Sequence, residues 1–204
     1  MLSFRTVLPN TLELLKRLME VPELAGTRLV GGTALALQYG HRTSVDLDFF
    51  GSFDTDVDFF DVLSDVGDCH TLSVAKNIKA FEIDGVKVDI VNYKYPWIDD
   101  VVKEGNLRLA SDKDIAAMKV NAIEGRGSRK DFVDIYFLLQ HMTLRQILDL
   151  YIQKYQAHSL FRPLMSLMYF EDAEAQPLPK MFYDVSWEEM KKEIGRAVQA
   201  ETKK

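Results

Sequence analysis

The spacing of hydrophobic and polar positions changes along the chain and marks out its elements. From Pro9 to Val21, Leu12, Leu15, Leu18 and Met19 fall on one helical face, so an amphipathic helix is predicted there. Thr27 to Gly31 is a short strand-like run, and Thr33 to Tyr39 reads as a helix that Gly40 closes. Ser44 to Phe50 alternates as a strand, with Val45, Leu47 and Phe49 on one face. Asp54 to Val66 has a helical apolar side built from Val57, Phe60 and the segment 63–66. Strands are predicted over 70–76, 78–83 and 86–93, the last two joined by Asp84-Gly85, a strong hairpin turn signal. The middle of the chain therefore predicts a mixed sheet with antiparallel pairing.

After Pro96 the period becomes helical. Helices are predicted over 112–124, 129–141, 143–155 and 159–169, with an irregular connector around PLPKMFYDV. A last helix spans 186–200, where Ser186 and Glu189 form a capping-box pattern. The expected fold class is α/β (α+β): a mixed sheet flanked by helices over residues 1–100, then a helical bundle over 101–204 packed on that core.

Composition narrows the class. A hydrophobic fraction of 47% and a charged fraction of 27% are ordinary for a folded globular protein and exclude general disorder. Cys69 is the only cysteine, which excludes a disulfide framework and a cysteine zinc site and suits a reducing cytoplasm. No signal-peptide core and no apolar run long enough to span a bilayer is present, so a cytoplasmic protein is expected, and a monomer is favoured. The net charge of −6 argues against binding nucleic acid through a general basic excess, so any such substrate must meet a local patch.

The chemistry concentrates in a few acids and glycines. In VGGTALAL a strand ends in Gly31 and Gly32 and opens directly into a helix, which lets backbone approach a ligand and aims free N–H groups at an anion. For the two glycines alone a plain tight strand-to-helix turn is the favoured explanation, and neither a P-loop nor a Rossmann fingerprint is present. In VDLDFF, Asp46 and Asp48 project from one face of the strand. Adjacent carboxylates repel unless a cation lies between them, and hard oxygen ligands suit Mg²⁺. A solvent-facing edge strand is the alternative. Asp89, amid Val86, Val88, Ile90 and Val91, needs a partner if buried, and a metal shared with Asp46 and Asp48 would supply one. The acidic run Asp54, Asp56, Asp58 and Asp61 is explained by a helix start.

A hydrophobic residue, Gly-Gly, a spacer and two acids separated by one residue resemble the polymerase-β-type nucleotidyltransferase superfamily, here as Val30-Gly31-Gly32 and Asp46-Leu47-Asp48. More specifically, GGTALALQYGHRTSVDLDFF followed by DKDIAAMKVNAIEGRGSRKDFVDIYFLL resembles the AbiEii/AbiGii family, nucleotidyltransferase-like toxins of bacterial toxin–antitoxin and phage-defence systems. The resemblance is strong over about residues 25–140. It implies Asp46, Asp48 and Asp89 as ligands of one or two Mg²⁺ ions, an NTP substrate, and a hydroxyl acceptor that is the tRNA 3′ end or a protein. It also implies an antitoxin encoded nearby. Lys119, on an otherwise apolar helix stripe, takes the family's phosphate-binding lysine, and Gly31, Gly32, Thr33, Arg42 and Ser44 take nucleotide-side roles. Asp131 or Asp134 is the further acid near the nucleotide, with Asp131 preferred, and Ser128 is expected to cap their helix. Arg126, Arg129 and Lys130 form a local basic cluster that could meet RNA or be a solvated turn.

Two readings compete with nucleotidyl transfer. GHR and DFFG prompt a kinase-like phosphotransferase, but no strand lysine precedes them at a suitable place. A nucleotide-binding interaction module without transfer activity is the other, and the presence of all three strand acids argues against it.

Overall fold

Seven strands form one sheet: β1 (Thr27–Leu29), β2 (Leu47–Gly51), β3 (Cys69–Val74), β4 (Ile78–Ile83), β5 (Val86–Asn92), β6 (Val102–Glu104) and β7 (Leu107–Leu109). Their spatial order in this computed structural model is β3-β4-β5-β2-β1-β7-β6. The structure describes residues 1–203. β2 runs parallel to β5 and β1 parallel to β7, while the remaining pairs are antiparallel, so the sheet is mixed as expected. It belongs to a compact unit made of residues 1–95 and 100–110.

Alternation along each strand decides which face is dry. Leu47, Phe49, Phe81, Val88, Ile90 and Leu109 are fully buried, whereas Asp48 and Asp89 stand on the other, half-open face. The helices of this unit are α1 (Pro9–Glu20), α2 (Gly31–Tyr39) and α3 (Phe59–Ser64). Leu14, Leu15, Leu18 and Met19 form the buried stripe of α1. Leu12, expected there, is half-buried. Gly40 ends α2 in the left-handed conformation at φ 68°, its N–H donating to the Ala36 carbonyl.

Several elements differ from expectation, among them α2, which already starts at Gly31. Helix α3 starts at Phe59, because the Asp54 side chain accepts from the Asp56 N–H and the Asp58 side chain from the Phe60 N–H, each at 3.0 Å. Aspartates bonding nearby backbone in this way compete with a helix and leave only the cap. Strand β2 starts at Leu47, so Val45 lies outside it and is 53% exposed. Residues 100–110 add the hairpin β6–β7, turned by Gly105 at φ 60°, so helices begin at Asp112. Strands of three residues are too short to declare a period of two.

The second compact unit comprises residues 96–99 and 111 onward. It holds α4 (Asp112–Gly125), α5 (Arg129–Leu139), α6 (Leu144–Tyr155), α7 (Phe161–Leu167), α8 (Glu171–Glu174) and α9 (Trp187–Thr202). Full capping boxes start α6 (Thr143 with Gln146) and α9 (Ser186 with Glu189). A fully buried ion pair of Lys154 with Asp114, at 2.7 Å, fastens segment 96–99. Asp114 also accepts from the Ile98 and Asp99 N–H groups, and Lys154 donates to the Pro96 carbonyl. Among the described residues, no helix is long and apolar enough to cross a membrane.

Candidate active site

The site is built where β1 gives way to α2. The Val30 N–H donates to the Asp48 carbonyl at 2.8 Å, which locks the end of β1 beside β2. The chain then turns at Gly31, whose φ of 68° lies in the left-handed region that favours glycine. A Cβ on Gly31 would sit 2.5 Å from Asp48 Oδ2, and one on Gly32 would strike the Arg42 guanidinium and approach Ser44 Oγ to 3.3 Å. Gly31 is favoured by its backbone, and a side chain at either glycine would push aside a neighbouring group, at the first the carboxylate of a candidate metal ligand. The N-terminus of α2 carries no side-chain cap.

Thr33, Arg42 and Ser44 brace this turn. The Thr33 hydroxyl bonds the Asp46 carbonyl and lies 2.8 Å from the Ser44 hydroxyl, so α2 holds the approach to β2 in place. Thr33 and Arg42 are buried, and Arg42 Nη1 donates to the Thr43 carbonyl at 3.0 Å.

Parallel pairing of β2 with β5 puts Asp48 directly beside Asp89. Adjacent strands lie about 4.8 Å apart, so the two side chains project side by side from one face of the sheet. Asp89 Oδ1 is buried with no hydrogen-bond partner, while Oδ2 pairs with the Lys87 ammonium. A buried oxygen left unsatisfied is costly and marks a place for a cation or donor. Burial works to lower the Lys87 pKa, but its bond to Asp89 and the charges of Asp89, Asp48 and Asp46 outweigh it, and the net shift is upward. Lys87 was not singled out in the sequence, although its position two residues before Asp89 puts it on the same face.

Among the described residues, no group of three His, Cys, Asp or Glu side chains is gathered as a metal-ligand set. What is present is the Asp48–Asp89 pair, with Asp46 just ahead of β2. That arrangement fits Mg²⁺, which is usually held by one or two carboxylates plus substrate phosphates rather than by an all-protein cage. The orphaned Asp89 Oδ1 is the observation that favours it.

Lys119 and Asp131 belong to the second unit and form a cluster of their own. Lys119 is 4% exposed and pairs with Asp131 at 2.8 Å and Asp134 at 2.6 Å, so both acids of the helix share it. Asp131 also binds Arg126 Nε at 3.0 Å. Ser128 stands at the N-cap of α5, but its hydroxyl bonds the Asp131 carboxylate instead of capping backbone. Burial opposes ionisation of Asp131, yet the Lys119 charge and the Arg126 bond prevail and hold its carboxyl well below the usual carboxylate range. The basic cluster expected at 126–130 keeps Arg126, with 62% of its side chain exposed, and Lys130 at the surface, while Arg129 is drawn inward. Arg129 donates to the Ala173 and Glu174 carbonyls and lies over the Trp187 ring at 4.9 Å, and Arg126 is held by Asp131.

A family model described as nucleotidyl transferase AbiEii toxin, type IV toxin–antitoxin system, matches residues 13–98. An uncharacterized protein of Aquifex aeolicus (strain VF5) is 36% identical over 179 residues, covering 83% of this chain and 85% of that one. Among solved structures, JHP933 from Helicobacter pylori gives a TM-score of 0.56 at 20% identity, over 100% of this chain and 94% of the other. MenT4, a nucleotidyltransferase toxin from Mycobacterium tuberculosis H37Rv, gives 0.57 at 13% identity, over 92% and 82%. These two likenesses are likenesses of fold. The chain belongs to the AbiEii nucleotidyl transferase toxin family and is a nucleotidyltransferase.

Proposed function

We propose that this nucleotidyltransferase moves an NMP group from an NTP to a hydroxyl acceptor, the tRNA 3′ end or a protein, releasing pyrophosphate and the hydroxyl proton in a Mg²⁺-dependent reaction. The observation that carries the reading is the in-register pair of Asp48 and Asp89, one oxygen of which is buried and unsatisfied, beside the Gly31 turn. Asp46, Asp48 and Asp89 would hold the ion. When bound, Mg²⁺ supplies charge stabilisation for the triphosphate and for an in-line displacement at its α-phosphorus. The backbone of Gly31 and Gly32 leaves room for phosphate oxygens at the start of α2, whose unpaired N–H groups favour an anion. Thr33, Arg42 and Ser44 keep that turn rigid, so the acids and the helix start hold a fixed spacing. Lys119 enters the proposal as a cation for a phosphate group, and Asp131 as the acid that orients it. A toxin role, kept in check by an antitoxin in a toxin–antitoxin or phage-defence system, follows from the family.

The test incubates the protein with each labelled NTP in turn, Mg²⁺ and total tRNA. Label in RNA supports transfer to tRNA, and label on protein assigns a protein acceptor. Nucleotide bound without transfer supports the interaction module. Asp48→Asn should abolish labelling while circular dichroism and melting stay close to wild type. Full labelling by that variant would overturn the mechanism.

A further inference from the structure

The Lys87–Asp89 contact has no role in the transfer reaction as described, and its position is unusual. Both residues lie on β5 two positions apart, so both project to the face that carries Asp48. The Lys87 ammonium bonds Asp89 Oδ2, and Asp48 and Asp46 act on the same charge. One lysine thus stands beside the Asp48–Asp89 pair that would hold a metal. A divalent ion and an ammonium cannot both occupy Asp89 Oδ2 without strong repulsion. The lysine side chain is 48% exposed while Asp89 is 23% exposed, so Lys87 can swing to solvent and Asp89 cannot. Its flexible four-carbon stem allows that movement with no change in the strand.

We propose that Lys87 is the resident counter-ion of the carboxylate cluster, which a divalent metal must displace before it can bind Asp89. This rests on the metal reading given above. The lysine offsets carboxylate repulsion in the metal-free protein and weakens binding of free metal. Even at the dielectric of water, a unit charge about 6 Å from a divalent ion changes its affinity roughly tenfold.

The test is Mn²⁺ binding to the full chain without nucleotide, read by electron paramagnetic resonance of the free ion. Lys87→Met should bind Mn²⁺ roughly tenfold more tightly than wild type, because the competing charge is gone. Lys87→Arg keeps the charge and should stay weak. Lys16→Met, which removes a surface charge paired with Glu13, should leave affinity unchanged. Asp48→Asn separates the two ideas. Mn²⁺ binding that is lost in Asp48→Asn but equal in wild type and Lys87→Met overturns the role of Lys87 alone. Mn²⁺ binding indifferent to Asp48→Asn, or absent from every variant, overturns the metal reading and this inference with it.

Discussion

Gly31→Ala separates the two demands that the turn places on its first glycine. The residue has φ 68°, and its added methyl would lie 2.5 Å from Asp48 Oδ2 but 3.4 Å from Cγ and 3.7 Å from Cβ. The left-handed backbone costs an alanine about 1–2 kcal/mol. The overlap is different, because only the outer carboxylate oxygen is in the way. Turning that carboxylate relieves the clash cheaply, so the damage should fall on the site and not on the fold. Gly85→Ala isolates the backbone cost, since Gly85 has φ 75° and nothing within 4 Å of the added methyl. Gly125→Ala is the opposite control: it closes α4 in open space, and alanine there should stabilise by about 0.5 kcal/mol. Urea unfolding should therefore place Gly31→Ala and Gly85→Ala within about 1 kcal/mol of each other. Transfer of labelled NMP should fall about a hundredfold in Gly31→Ala, as for a catalytic group displaced by about 1 Å, and stay near wild type in Gly85→Ala. A Gly31→Ala protein that folds and transfers like wild type would falsify the placement of Asp48 against this turn.

Asp131 makes acid stability a readout. Its carboxyl is held below the ordinary value near ~3.9, so its contribution is whole above that pH and fades as pH falls through the folded value. Asp131→Asn should lie about 3–5 kcal/mol below wild type at neutral pH, with the gap closing under acid; a gap that ignores pH refutes this. Lys154→Met leaves Asp114 buried without its cation and should cost about 3–5 kcal/mol by denaturant titration. Arg145→Ala breaks a pair that is half exposed on both sides and should cost only about 0.3–0.5 kcal/mol. Equal losses at the two sites would show that burial does not set the strength of these pairs.

Much of the first unit was legible in the sequence because its signals are local. The Asp84-Gly85 turn takes positive φ at both residues, as a two-residue hairpin of this kind requires, and β4 spans the expected 78–83. Gly40 closes α2, and Ser186 with Glu189 starts α9. Other expectations failed where a side chain chose a distant or unforeseen partner. Ser128 has the chemistry of a cap but bonds Asp131. Arg129 looked like part of a basic surface, but the carbonyls at 173 and 174 and the Trp187 ring, all more than 40 positions away in sequence, take its guanidinium. The β6–β7 hairpin was missed because each strand is short and the hairpin joins the sheet only through the pairing of β7 with β1.

Sequence by itself determined that Asp48 projects opposite Leu47 and Phe49, that Asp89 interrupts an apolar strand, and that two glycines open a helix. Those are consequences of side-chain period and residue type, which act over a few positions. Only the tertiary structure decided that β2 lies beside β5, so that Asp48 meets Asp89, and that Gly31 rests against the Asp48 carboxylate. It also decided that Lys87 answers Asp89 and that Lys119 is shared by two acids. Strand order and side-chain pairing depend on which surfaces bury together across long stretches of chain, and no local period encodes that choice.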